Sequence, residues 1–258
     1  MIIIIFPEIN LTFMKYLYVC IALCIATNMG FGQGKDRASL DPEVTEVWEP
    51  IPPKVNIVNG VPSDAQVLFD GSDFSNWIGI NGGDVQWDLV GDAMTVKLGT
   101  GGITTRDSFG DFQLHIEWAS PEVITGEGQG RGNSGIFLQN RYEVQVLDSY
   151  ESRTYSNGQA SAIYKQAIPL VNACKPPGEW QTYDIIYTAP RFNDNGRKIS
   201  NAKVTVLHNG VVTLNDFEIW GTTQYKGLPS NEPHGDAPIT LQDHSNLVKY
   251  RNIWIRRM

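Results

Sequence analysis

Short segments of β character, cut apart by turn residues at close intervals, restrict this chain to very few architectures. Strands are expected at Val85–Leu89, Ala93–Lys97, Phe112–Ala119, Ser134–Leu138, Tyr142–Leu147 and Ala162–Tyr164, and again at Tyr183–Thr188, Lys203–His208, Val211–Leu214, Ile239–Gln242 and Tyr250–Arg256. Phe112 to Trp118 shows the period most plainly. Phe112, Leu114, Ile116 and Trp118 share one face, and Gln113, His115 and Glu117 share the other, because successive side chains of a strand point to opposite sides. Asn209-Gly210 between two such runs predicts a hairpin with a type I′ turn, whose central residues both need positive φ. A helical period is not sustained over a dozen residues anywhere. Seven Trp, ten Tyr, ten Phe and 25 Gly also favour strands and tight turns. The expectation is an all-β domain of two packed antiparallel sheets.

The ends of the chain read differently. Met14-Lys15, an apolar run from Tyr16 to Ala26 and the small residues Gly30 and Gly32 have the order of a secretory signal peptide. Residues 1–32 are therefore expected to be removed, with Met14 the natural start. The apolar run is short for a membrane span, so a retained anchor is the weaker reading and the mature form is expected to have none. Export to the periplasm, the cell surface or the medium follows. Removal of this segment takes Cys20 and Cys24 with it and leaves Cys174 alone, with no disulfide and no cysteine metal cluster. Residues 33–63 are polar and Pro-rich and read as a tether or strap, and residues 64–258 as the folded domain. A formal net charge of −8 and the lack of a basic stripe exclude nucleic acid as an expected partner.

The candidate chemistry gathers in Arg131 to Asp148. Glu143 and Gln145 share a strand face. Asp148 joins them only if a bulge near Leu147 shifts the alternation, a device often found beside active sites. The glycines of Arg131-Gly-Asn-Ser-Gly135 permit close backbone approach by a ligand, and Arg131 is expected to hold a carboxylate or sugar hydroxyls. His244 is an acid/base candidate that Asp243 could orient. Lys165 offers a positive charge for a developing oxyanion, and His115 a further substrate contact. For Glu143, Asp148 and Gln145 the bland alternative is a solvated acidic strand end; for His115 it is the polar face of an ordinary amphipathic strand. The Gly/Pro-rich stretch from Gly221 to Pro238 is long for an unstructured connection and reads as a functional loop.

Six segments in order carry a family resemblance: Leu68-Phe-Asp-Gly-Ser-Asp-Phe-Ser-Asn-Trp77, Asp111-Phe-Gln-Leu-His-Ile-Glu117, Gly132-Asn-Ser-Gly-Ile-Phe-Leu138, Arg141-Tyr-Glu-Val-Gln-Val-Leu-Asp-Ser-Tyr150, Glu179-Trp-Gln-Thr-Tyr183 and Leu241-Gln-Asp-His244 with Tyr250-Arg-Asn-Ile-Trp-Ile-Arg256. From Val67 to Arg256 the chain resembles the 3-keto-disaccharide hydrolase domain, a family frequent in secreted proteins of Bacteroidetes. The resemblance implies a concanavalin A-like jelly-roll sandwich and an oligosaccharide or glycoside substrate oxidised at C3 by an upstream sugar 3-dehydrogenase. It also implies cleavage by C2 deprotonation, elimination and hydration. Glu143 or His244 would be the base and Asp148 the acid, with Arg131, Lys165 or a divalent metal at the enediolate and no cofactor otherwise required. Laminarinase-type enzymes of the same architecture carry a bulged Glu-x-Asp-x-x-Glu strand that looks like Glu143-x-Gln145-x-x-Asp148. Gln145 stands in place of an acid there, so their double displacement does not transfer. A conventional glycosidase, and a binding module stacking sugars on Trp87 or Trp220, are the alternatives.

Overall fold

The computed structural model describes residues 41–258, so the signal-peptide reading, with Cys20 and Cys24, falls outside the described residues. The chain divides into two units, residues 1–54 and 55–258. In the described part of the first, a 3-10 turn at Pro42–Thr45 is followed by extended backbone, and Trp48 donates from Nε1 to Glu46 Oε2.

The second unit is all-β, with no α-helix among the described residues. Its strands are β1 (Ile57–Val58), β2 (Val61–Pro62), β3 (Gln66–Phe69), β4 (Trp77–Gly79), β5 (Asp88–Val90), β6 (Ala93–Thr95), β7 (Ile103–Thr105), β8 (Phe112–Ala119) and β9 (Ser134–Leu138). They continue with β10 (Tyr142–Val146), β11 (Gln181–Thr188), β12 (Arg191–Phe192), β13 (Lys198–Ser200), β14 (Ala202–His208), β15 (Val211–Ile219), β16 (Thr240–Leu241) and β17 (Lys249–Arg257). Two antiparallel sheets make the jelly-roll sandwich. One has five strands in the order β10-β9-β16-β7-β4; the other has eight, β15-β14-β11-β8-β17-β6-β5, with β3 also on β17. Alternation sorts the faces as the sequence predicts. Phe112, Leu114, Ile116 and Trp118 of β8 are wholly buried between the sheets, and His115 and Glu117 lie on the outer side. At the β14–β15 hairpin Asn209 and Gly210 both have positive φ (52° and 77°). Asn209 also binds the Thr182 amide, the Ala173 carbonyl and Gln181 Oε1, which ties the turn to β11.

Two strands of the five-stranded sheet were not expected: β4 and β7 are three residues each, too short to show a period. Ala162–Tyr164 contributes a single bridge, Ile163 to Val144, at the free edge of β10.

Buried tyrosines join the two sheets. Tyr183 of β11 donates 2.8 Å to the Gln145 carbonyl, and Tyr250 of β17 donates 2.7 Å to Ser134 Oγ. Tyr187 donates 2.8 Å to Gln139 Oε1 at the β9–β10 turn. All three rings are fully enclosed, so each hydroxyl needs its partner. Tyr183→Phe and Tyr250→Phe are each expected to cost about 1 kcal/mol in urea unfolding, the net worth of a typical hydrogen bond. Tyr250→Ala should cost about 3–5 kcal/mol through the added cavity.

Candidate active site

The β9–β10 hairpin is the floor of the site. Its register sets Glu143 opposite Phe137 and Gln145 opposite Gly135, while Val144, Val146, Ile136 and Leu138 fill the core. Glu143, Gln145, Phe137 and Gly135 therefore occupy the outer face of the five-stranded sheet. In the three-residue turn between Leu138 and Tyr142, Gln139 and Asn140 take positive φ (50° and 54°). Gly135 is dictated by the site: a Cβ there would lie 2.5 Å from Glu143 Oε1. Beyond β10 the segment Ser161–Tyr164 continues the sheet, with Tyr164 N donating 3.1 Å to the Glu143 carbonyl and Gln145 N donating 2.9 Å to that of Ala162. This brings the Tyr164 ring beside Glu143.

A cavity of about 220 Å³ stands on this floor. Glu143, Gln145 and Gln242 form its base, Tyr164 and Tyr225 its walls, and His244 part of its rim. Glu143 is 6% exposed, and burial pushes its carboxyl up from 4.5 to about 8, because removal from water penalises the charged form. With its nitrogen turned toward them, the Gln145 amide donates to Glu143 Oε1 at 3.2 Å and to the Ser134 carbonyl at 3.0 Å. Thr223 Oγ accepts from Glu143 N at 3.0 Å, anchoring the long loop to β10. The Tyr155 and Tyr164 hydroxyls are 2.5 Å apart, and burial first, then this bond, raises the Tyr164 phenol above its usual value. Lys165, at φ 61°, donates 2.6 Å from Nζ to the Tyr225 carbonyl and sits 4.5 Å from that ring's centre, a cation–π contact that holds the wall in place.

The residues singled out by sequence do not all meet here. Glu143, Gln145 and His244 line the cavity, and Lys165 braces its wall. Asp148 does not join them. The β9–β10 pairing runs unshifted from Tyr142 to Val146 and ends there, before Leu147. After β10 ends, Asp148 turns to Arg131, whose Nε donates 2.6 Å to Oδ2, and Tyr150 N caps Oδ1 at 3.2 Å. The pair is buried, and neither partner lines the cavity. His115 lies on the outer face of the other sheet, 2.7 Å from Asp184 through Nδ1 and stacked on Trp254. Asp243 accepts from Gly99 N (2.8 Å), Gly101 N (3.2 Å) and Ser245 N (2.9 Å), which makes it a loop strut. Trp87 is buried against Tyr250 and offers no sugar platform; Trp220 is exposed and packs on Phe217. Tyr164, Tyr225, Thr223 and Gln242 were not singled out by the sequence. The one signal for Tyr225 and Thr223 was the length of the loop that carries them. Among the described residues no three His, Cys, Asp or Glu side chains gather as metal ligands, and the cavity's Glu143–His244 pair falls short of a side-chain metal cage.

The two acids of this hairpin have opposite environments, and two outcomes follow. Because Glu143 binds its proton more tightly folded than unfolded, its contribution is fullest below pH 4.5 and is lost as pH rises to about 8. The slope approaches about 1.4 kcal/mol per pH unit at most. Glu143→Gln should flatten that slope and unfold at higher urea than wild type at pH 8. Arg131→Ala strands a buried carboxylate and should cost about 3–5 kcal/mol in the same assay.

Comparison with known proteins accords with this architecture. A protein of Parabacteroides distasonis ATCC 8503 provisionally named a glycosyl hydrolase is 51% identical, with 86% of this chain and 98% of that one covered and a TM-score of 0.81. A second from the same organism, so named as well, shares the fold at 21% identity over 76% of this chain and 94% of its own, TM-score 0.56. No curated protein is significantly similar. Residues 64–256 match the model of the 3-keto-alpha-glucoside-1,2-lyase-like domain. The chain belongs to that family and is a carbohydrate-active enzyme of jelly-roll fold.

Proposed function

We propose that this enzyme cleaves 3-keto-glucosides by elimination across C1 and C2, followed by hydration, with Glu143 as the base. The observation that carries the reading is a buried carboxyl with a pKa of about 8 at the base of a cavity to which, among the described residues, no second carboxylate contributes. A conventional glycosidase divides its work between two carboxyl groups flanking the scissile bond. A single carboxyl half ionised at about pH 8 suits the removal of a carbon-bound proton acidified by a neighbouring ketone.

In this mechanism the Glu143 carboxylate takes the C2 proton, and the electron pair moves into the C2–C3 bond as the ketone oxygen becomes an enediolate. The paired phenols of Tyr155 and Tyr164 supply a neutral donor for that oxygen, and Lys165 a nearby positive charge. Collapse of the enediolate restores the ketone, forms the C1–C2 double bond and breaks the C1–O bond. His244 at the rim gives its proton to the departing oxygen. Water then adds at C1, giving its proton to His244, and Glu143 returns the proton to C2, for net hydrolysis. Arg131 and Asp148 serve by holding the Gly132–Ser134 approach to β9 in place, Gln145 orients the Glu143 carboxyl, and Asp243 secures the loop wall.

Such a substrate must come from an enzyme that oxidises the C3 hydroxyl, so a sugar 3-dehydrogenase is placed upstream. The charged, apolar and small-residue order of residues 14–32 supports export, with the reaction outside the cytoplasm.

Purified enzyme is expected to release product from a 3-keto-α-glucoside and none from the unoxidised glucoside. Its kcat/KM should rise with pH toward about 8, as the base ionises. Glu143→Gln should lower kcat by about 10³-fold, within the usual range for losing a general base. Cleavage of the unoxidised glucoside at a comparable rate, or an active Glu143→Gln, would defeat the proposal.

A further inference from the structure

A second cavity, about 310 Å³, opens beside the first on the same sheet face and shares Phe137 and Gln242 with it. Its other walls are Ile80, Gly102, Asn140 and Thr240. The strand order β10-β9-β16-β7-β4 arranges the two in sequence. Glu143 stands on β10, Phe137 on β9, Thr240 on β16, Gly102 just before β7 and Ile80 just after β4. Strands lie about 4.8 Å apart, so two steps from β9 carry a ligand roughly 10 Å across the sheet, room for a second ring.

The chemistry of the two cavities differs. The first holds the titratable pair Glu143 and His244. In the second the carboxylate is Asp243, already taken up by the Gly99, Gly101 and Ser245 amides. Thr240 Oγ is likewise engaged, with Thr104 and Asn140. What faces a ligand is the half-exposed Ile80 side chain, 47% accessible, the Phe137 ring and the backbone at Gly102, where a Cβ would strike the Leu241 carbonyl at 2.5 Å. At the junction, Gln242 Oε1 is buried with no hydrogen-bond donor from the protein.

Resting on the elimination reading above, we infer that the second cavity is the leaving-group subsite. It takes a flat apolar aglycone, an aryl group in place of a second sugar, between Ile80 and Phe137.

The test compares phenyl and methyl 3-keto-α-glucosides with the full chain and its Ile80→Ser variant. Wild type is expected to favour the phenyl compound in kcat/KM, and the variant to lose about tenfold of that phenyl-to-methyl ratio, the worth of about one or two apolar carbons in a pocket. In parallel, the Ile80 methyl resonances of Glu143→Gln are followed during titration with both glucosides. A large shift with the phenyl compound and a small one with the methyl compound is expected. An unchanged ratio in Ile80→Ser, or Ile80 methyls indifferent to the phenyl group, overturns the subsite whatever the turnover. Failure of wild type to cleave either glucoside, with Ile80 still responding to phenyl, would defeat the elimination reading and the leaving-group role while keeping the aryl ligand class.

Discussion

The structure depends on a set of tyrosines that cross its core and finish in hydrogen bonds under the site. Tyr183, Tyr187 and Tyr250 rise from the eight-stranded sheet, and their hydroxyls end on Gln145, Gln139 and Ser134 of the β9–β10 hairpin. Ser134 in turn donates 2.6 Å to the Gln242 carbonyl. A buried phenol confers a large apolar area together with one directional bond that the interior cannot leave unmade. Packing and polar satisfaction therefore demand the same spacing between the sheets and the same hairpin position. The floor of the cavity is set from beneath, by residues that no substrate touches.

That rigidity allows an unfavourable group to persist above it. Glu143 is buried without a cationic partner, and its neighbours are an amide, a threonine and a tyrosine. The same hairpin leads to Asp148, equally buried but clasped by Arg131. Two carboxyls five residues apart thus have opposite fates. Burial alone pushes Glu143 toward neutrality, whereas Asp148 is held in an ion pair with Arg131. The first arrangement suits proton transfer, the second anchors backbone.

The loop from Gly221 to Pro238 completes the enclosure. Thr223 is tied to the Glu143 amide and Tyr225 is held through its carbonyl and ring by Lys165. The side chains that exclude water from Glu143 thus come from segments far apart in the chain, and the perturbed carboxyl is a product of their assembly.

The sequence by itself determined the β class, the alternation of faces and the Asn209-Gly210 turn, because these follow from backbone geometry within a few residues. It also placed Glu143 and Gln145 together, since a two-residue period leaves no other result. The fate of Asp148 was decided by tertiary structure, because a carboxylate beyond a strand end goes to whatever cation the fold brings within reach. His115 went to the other sheet for a related reason: alternation says that a strand has two faces, and only packing says what covers each. The short strands β4 and β7 showed no period; β7 is held between β16 and β4, and β4 by β7. Tyr164 reached Glu143 through a bridge at a free sheet edge, and that pairing exists only once β10 is in place.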